Sequence, residues 1–199
     1  MKRFEHIIGG QPVFAMAEPS QAALVDDVWA LAGQLAQCEP LRPGMRLRIG
    51  WTMLTAERDG DGLMLCEPDF DGDPLTQTRP RIDVSLDVMA QQAAFAHARQ
   101  VEPLDTRFDQ ILIVGRGALA RPDIQAFRDP PDGTDSGWSV TELGAEPSED
   151  PDAFETLAVH RLLRLRPALL SLLILPPGYG LILEAGKAPL VLSPDAAGQ

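Results

Sequence analysis

The stretch that decides the fold is residues 46–66, RLRIGWTMLTAERDGDGLMLC. Apolar and polar side chains alternate over residues 46–55, and this period of two predicts a β-strand. The apolar face of that strand would carry Leu47, Ile49, Trp51 and Met53. Residues 59–62 (DGDG) have the composition of a hairpin turn, and residues 63–66 (LMLC) predict the returning strand. The segment therefore predicts an antiparallel β-hairpin.

A helix is predicted on each side of this hairpin. Residues 20–38 carry apolar side chains at helical spacing after Ser20, a residue that can cap a helix. Residues 85–100 are rich in alanine and glutamine and predict a second helix, capped by Ser85. Further strands are predicted at residues 110–114, 138–143 and 179–184. Helices and strands in this order predict an α+β fold, with an antiparallel or mixed sheet, packed helices and a division into two small subdomains.

The segment after Asp150 allows two interpretations. Asp150 followed by Pro151 is a good helix start, and a helix could continue over residues 157–173. Pro167 lacks a backbone donor and argues against one unbroken helix. A short strand over residues 156–159, followed by helical turns on either side of Pro167, fits equally well. We place a boundary near residues 102–107, which predicts an N-terminal region 1–105 of unassigned type and a second domain 106–199.

Composition excludes several classes of function. The 199 residues include 17 basic and 29 acidic side chains, for a formal charge of −12. Nucleic-acid binding requires a positive surface, so a basic protein is the expected partner. No apolar run reaches the length of a membrane span, and polar residues interrupt any N-terminal signal sequence. We therefore expect a cytoplasmic protein, and we interpret Cys38 and Cys66 as buried, inert thiols.

The negative charge is concentrated in two turn-rich segments. Residues 57–73 and 128–155 together hold 16 acids and two bases, whereas the rest of the chain holds 13 acids and 15 bases. One interpretation is a pair of solvated loops that keep the protein soluble. The other is an acidic surface that steers and binds a basic partner. The predicted partner-binding residues are Asp59, Asp61, Glu67, Asp69, Asp71, Asp73, Asp132, Asp135, Glu146, Glu149, Asp150 and Asp152.

Sequence motifs give little support for catalysis or for a cofactor. Residues 115–120 (GRGALA) match a dinucleotide-binding fingerprint, but Pro122 falls where its helix should form, which favours a plain glycine turn. Residues 57–62 imitate half of a calcium loop, but Pro68 stands where the closing carboxylate is required. The three histidines have no metal-ligand spacing. We predict no catalytic residue, no metal site and no cofactor.

Residues 108–186 carry a more specific pattern. An apolar strand (residues 111–114) precedes an Arg-x-Pro turn at Arg128, then the run DSGW at residues 135–138, then an acidic gap and a Pro-Gly turn at residues 177–178. This order resembles bacterial immunity-protein family thirty-three of the polymorphic toxin systems. Members often carry an aromatic residue after the tryptophan, where this chain has Ser139 and Val140, and residues 1–105 lie outside the resemblance.

The resemblance implies a non-enzymatic antidote that binds a cognate toxin in the cytoplasm and blocks its active site. An interaction or scaffold module that uses the same fold for another bacterial partner is the alternative, and an enzyme is a third. For the Ser-Gly-Trp element, residues 136–138, we predict structural roles. Trp138 would anchor a core, and Gly137 would permit a close approach of two backbone segments.

Overall fold

A computed structural model describes residues 1–194, which form two compact units. The first unit comprises Met1–Gln91, and the second begins at Gln92, so the boundary between them falls within a helix. Each unit holds one mixed β-sheet with helices, and this confirms the predicted α+β class with two subdomains. The division at residues 105 and 106 stays a prediction of the sequence.

The first unit is a helix packed on a mixed sheet. Its sheet has the strand order β1-β2-β5-β4-β3, with β6 beside β5; β2 and β5 are parallel, and the other neighbours are antiparallel. The elements are β1 (Lys2–Ile8), β2 (Gln11–Ala17), α1 (Ala22–Cys38), β3 (Arg46–Ile49), β4 (Thr52–Asp59), β5 (Gly62–Pro68), β6 (Thr78–Arg79) and α2 (Asp83–Arg99), in which the unit ends. The face of α1 that carries Val25, Val28, Trp29 and Ala32 is buried in the core.

The deciding segment folds as three strands, so one expectation was wrong. The hairpin turn at residues 59–62 is present, since Asp59 pairs with Gly62 across it. The predicted strand over residues 46–55, however, is broken at Gly50, where φ is +50°, and Ile49 pairs with Thr52 across this second turn. A two-residue turn resets the alternation of faces. Consequently Thr52, Leu54 and Ala56 are buried, and Met53 does not share the buried face of Leu47 and Ile49.

Trp51 has a different role from the one its spacing predicted. It lies in the turn between β3 and β4, fully buried, with its ring stacked on Phe70 at 5.2 Å and its Nε1 donating to the Ser85 carbonyl at 3.2 Å. The start of α1 also differs from the expectation. Ser20 lies in a short 3₁₀ turn, and the side-chain oxygen of Gln21 accepts from the Glu18 amide at 2.9 Å.

The second unit is built on another mixed sheet. Its order is β10-β7-β9-β8-β11-β12, in which β7 and β9 are parallel and the other neighbours antiparallel. The elements are β7 (Ile111–Gly115), β8 (Ile124–Arg128), β9 (Asp135–Glu142), β10 (Phe154–Ala158), α3 (Leu162–Leu165), α4 (Pro167–Leu170), β11 (Gly180–Leu183) and β12 (Leu190–Leu192). Of the two interpretations after Asp150, the short strand with helical turns on both sides of Pro167 is correct.

Five strands have no counterpart in the sequence predictions: β1, β2, β6, β8 and β12. The omission of β8 has a clear cause, because its buried face carries Ile124, Ala126 and Arg128. Because Arg128 occupies the third inward position, the strand lacks the regular alternation of apolar and polar residues that predicts a β-strand. Strand β1 is largely exposed, so it shows no apolar period of its own. Among residues 1–194, no helix combines the length and the apolar character needed to cross a bilayer.

Candidate functional site

The second unit is organised around one buried cation, Arg128. Its side chain is fully buried, and its Nη1 donates to the carbonyls of Leu104 at 2.7 Å and Leu175 at 2.5 Å. Its Nε donates to the Ser136 carbonyl at 3.3 Å. Burial lowers the pKa of this guanidinium to about 10, against the opposing effect of the Asp105 charge, so the group still carries its proton at neutral pH. Arg128 thereby joins β9 to two loops that are distant in sequence.

Trp138 extends this network. Its ring is fully buried 5.7 Å from the Arg128 guanidinium, and its Nε1 donates to Thr106 Oγ1 at 3.2 Å. Thr106 Oγ1 in turn donates to the Leu173 carbonyl at 2.6 Å. Every polar atom of the indole and the hydroxyl is therefore satisfied inside the core. The predicted role of Trp138 as a core anchor is confirmed.

Gly137 provides the close backbone approach that the sequence predicted. Its φ is +77°, and a Cβ at this position would lie 2.0 Å from the Asp129 carbonyl oxygen. The Asp129 amide donates to the Gly137 carbonyl at 2.8 Å, which holds the two segments together. The Asp135 carboxylate accepts from the Gly137 amide at 2.8 Å. The DSGW run and Arg128 thus form a structural unit, in which Asp135 stabilises the turn.

The second acidic segment presents carboxylates to solvent. Residues 142–155 contain six acids and no base, and Arg128, the one base of residues 128–155, is inside the core. Asp132, Glu146, Glu149, Asp150 and Asp152 are all exposed. Asp150 Oδ1 accepts from the Asp152 amide at 2.9 Å and so caps a short 3₁₀ turn. Among residues 1–194, none of these five carboxylates is in an ion pair, although Arg116 Nε donates to the backbone carbonyl of Asp152 at 2.5 Å.

In the first acidic segment the carboxylates are engaged in local structure. Asp59 pairs with Arg3 at 2.8 Å, and Asp71 pairs with Arg79 at 2.8 Å. Asp69 Oδ1 accepts from the Asp71 amide at 3.1 Å, and Asp73 Oδ2 accepts from the Thr76 hydroxyl at 2.6 Å. Asp61 lies exposed in the β4–β5 turn. Most of these carboxylates are therefore engaged in contacts within the first unit.

Glu67 is buried, contrary to the expectation of a surface contact. Its side chain is fully enclosed in β5, where it accepts from Arg79 Nε at 3.0 Å and from the Ser85 amide at 2.7 Å. Burial raises the pKa of this carboxyl, and the two donors act against that rise. A group enclosed in this way cannot reach a partner, so Glu67 supports the loop. Its position at the end of an apolar strand is the signal that sequence reasoning missed.

The two cysteines differ in a way that spacing did not predict. Cys38, the last residue of α1, is exposed, whereas Cys66 is buried in β5 as expected. Burial, together with the nearby charge of Glu57, raises the pKa of the Cys66 thiol to about 12. The expectation of burial was therefore wrong for Cys38, because it projects from the end of the helix.

This difference predicts selective thiol chemistry. At pH 8 the thiolate is the reactive form, so iodoacetamide should modify Cys38 at least about 100-fold faster than Cys66. Mass spectrometry of the intact protein over time measures both rates. In the Cys38→Ser variant the remaining thiol should stay unmodified until urea unfolds the chain. Two equal rates in the native protein would contradict the burial of Cys66.

The remaining chemical motifs form ordinary turns. The GRGALA motif ends β7 at Gly115 and continues into a 3₁₀ turn of three residues, Ala118–Ala120, with no helix to receive a pyrophosphate. The calcium-like DGDG run forms the β4–β5 hairpin. In the described part of the chain, no group of three or more His, Cys, Asp or Glu side chains is arranged to hold a metal ion.

These features define an α+β protein whose second unit combines a rigid buried network with an exposed acidic loop. The family profile of the Imm33-like domain matches residues 91–192, just over half of the chain. The chain therefore belongs to the Imm33-like domain family. No curated protein matches the chain, and no solved structure does so.

Proposed function

We propose that this protein is an immunity protein that binds and neutralises a basic bacterial toxin in the cytoplasm, without catalysis of its own. Membership of the Imm33-like family supports an immunity role. The observation that carries the proposal is the exposed acidic segment of residues 142–155, with six acids and no base. Such a surface attracts a cationic partner over a distance and can occupy the place of phosphates in its active site.

The proposal is tested by co-expression with the product of the neighbouring gene. We expect that product to arrest growth when expressed alone, and this protein to restore growth and to be recovered in a stoichiometric complex. The complex should dissociate as salt rises, because the attraction between exposed charges is screened. A complex without toxicity would instead support the alternative of a scaffold module. If the two proteins form no complex and growth is not restored, the proposal is refuted for this pair.

Charge reversal in the acidic segment should slow association with the toxin. The Glu146→Lys/Glu149→Lys variant changes two exposed carboxylates that support no turn, unlike Asp150. We expect the association rate constant to fall about tenfold at low salt, with a smaller change in dissociation. Stopped-flow or surface binding kinetics at two salt concentrations measure this effect.

The matched control is Asp26→Lys/Asp27→Lys, which makes the same change of charge at two exposed positions on α1 in the first unit. This variant should associate at nearly the parental rate, because its charges are outside the acidic segment. Equal slowing by the two variants would mean that only net charge matters and that residues 142–155 are not the contact surface.

A further inference from the structure

The sheet of the second unit has one buried face and one exposed apolar face. Val114, Ala126, Val140 and Leu181 are buried on the inner side. On the other side, strand pairing places Ile113, Ser139, Phe127, Gly180 and Leu192 in one row across five strands. Phe127 is 46% exposed, Leu192 41% and Ile113 38%. We call this row and its neighbours the outer face. Three exposed apolar side chains at alternate positions of one row form a cluster, and clustered apolar exposure is typical of an interaction surface.

A pocket of about 250 Å³ lies in the outer face at Gly180. Phe127, Gly180, Ile182 and Leu192 line it together with the polar Ser139 and Thr141, and Gly180 contributes no side chain to the lining. The volume is below the range of about 300–1,000 Å³ that is usual for small-molecule sites. The pocket therefore suits a single large apolar side chain of a protein partner, in the manner of a hot-spot residue that enters a pocket at the centre of an interface.

The acidic segment adjoins this pocket. A second pocket of about 170 Å³ is lined by Thr141, Glu142, Glu146 and the exposed Arg116, and Thr141 also lines the pocket at Gly180. Thr141 of β9 thus connects the apolar pocket at Gly180 with the pocket that carries the acidic side chains. An apolar centre with a charged rim is the usual composition of a protein–protein interface.

We propose that the outer face is the surface that docks the toxin, with an apolar side chain of the toxin seated over Gly180 and a basic side chain of the toxin against Glu146. The choice of a basic protein as the occupant rests on charge complementarity, since residues 142–155 beside the pocket carry six acids and no base, and within the described chain Arg121 pairs with only one of them, Glu142. This inference rests on the proposed function, and it adds the part of the surface that makes the apolar contact.

Two variants test the outer face without disturbing the core. Gly180→Val fills the pocket; Gly180 is not in the left-handed region, and a Cβ there meets its nearest neighbour, Leu192 Cδ1, at an ordinary 3.4 Å. Phe127→Ser removes the half-exposed ring. Ile7→Ser is the matched control, because Ile7 is an exposed strand residue of the first unit, 58% exposed. Circular dichroism and thermal unfolding verify that each variant is folded.

Titration calorimetry with the purified neighbouring-gene product, made inactive at its catalytic residue, measures the dissociation constant. We expect Gly180→Val and Phe127→Ser each to weaken binding at least about tenfold, as loss of a central contact does, and Ile7→Ser to leave it unchanged. If the parent binds and all three variants bind equally, the outer face is not the docking surface, and the proposed function stands. If the parent neither binds nor protects, both proposals fail together. If the parent is a dimer that Phe127→Ser converts to a monomer, the face binds a second copy, which overturns the inference.

Discussion

Replacement of Gly137 by alanine should cost the second unit more than about 3 kcal/mol of unfolding free energy, because backbone strain and a steric clash add together. The new Cβ would lie 2.0 Å from the Asp129 carbonyl oxygen, well inside contact distance. That oxygen cannot retreat freely, because the Asp129 amide is bonded to the Gly137 carbonyl at 2.8 Å. Relief of the clash would separate β9 from the segment that follows β8. Urea unfolding followed by tryptophan fluorescence measures the loss.

The control for this experiment is Gly144→Ala. Gly144 also has a φ of +77°, but a Cβ there meets nothing within 4 Å. Its substitution therefore measures the backbone strain alone, about 1 kcal/mol. The difference between the two variants isolates the close approach at Asp129. Equal losses of unfolding free energy in the two variants would show that backbone strain explains the whole effect of Gly137→Ala. They would also show that Gly137 and Asp129 are not in tight contact.

Replacement of Arg128 by methionine should be comparably severe. The methionine side chain fills most of the volume that the arginine side chain occupied. It leaves the carbonyls of Leu104, Ser136 and Leu175 without their buried donor. Each unsatisfied buried group costs about 1–3 kcal/mol, so we expect a loss of at least about 3 kcal/mol in total. Chemical denaturation monitored by circular dichroism measures the loss, and a fall in the thermal unfolding temperature should accompany it.

Two comparisons separate the charge of Arg128 from its geometry. Arg128→Lys keeps the cation, but one ammonium cannot span acceptors on three segments as the planar guanidinium does, so we expect lysine to recover less than half of the loss. Arg121→Met removes an exposed arginine. Among the residues that the structure describes, its only ion pair is with Glu142 at 3.4 Å. Its cost should stay within about 0.5 kcal/mol. Similar stability of the Arg128→Met and Arg121→Met variants would contradict a structural role for the buried guanidinium.

The acidic residues show how far sequence reasoning reaches toward the candidate site. Composition located the two acidic segments, because charge is counted without any knowledge of structure. It could not separate Glu67, which is buried against Arg79, from Glu146, which is exposed. The apolar outer face was also missed, since Phe127, Gly180 and Leu192 come together only through the pairing of β8, β11 and β12.

The sequence by itself determined the elements whose signals are local. The hairpin at residues 59–62 follows from its turn residues, helix α1 from its apolar period, and the split around Pro167 from the missing donor. Strand β8 and the role of Arg128 were decided only by the tertiary structure. The acceptors of its guanidinium come from β9 and from loops 23 to 47 residues away in sequence. A cation can occupy an inward position only where such distant carbonyls converge on it, and no local pattern records that convergence.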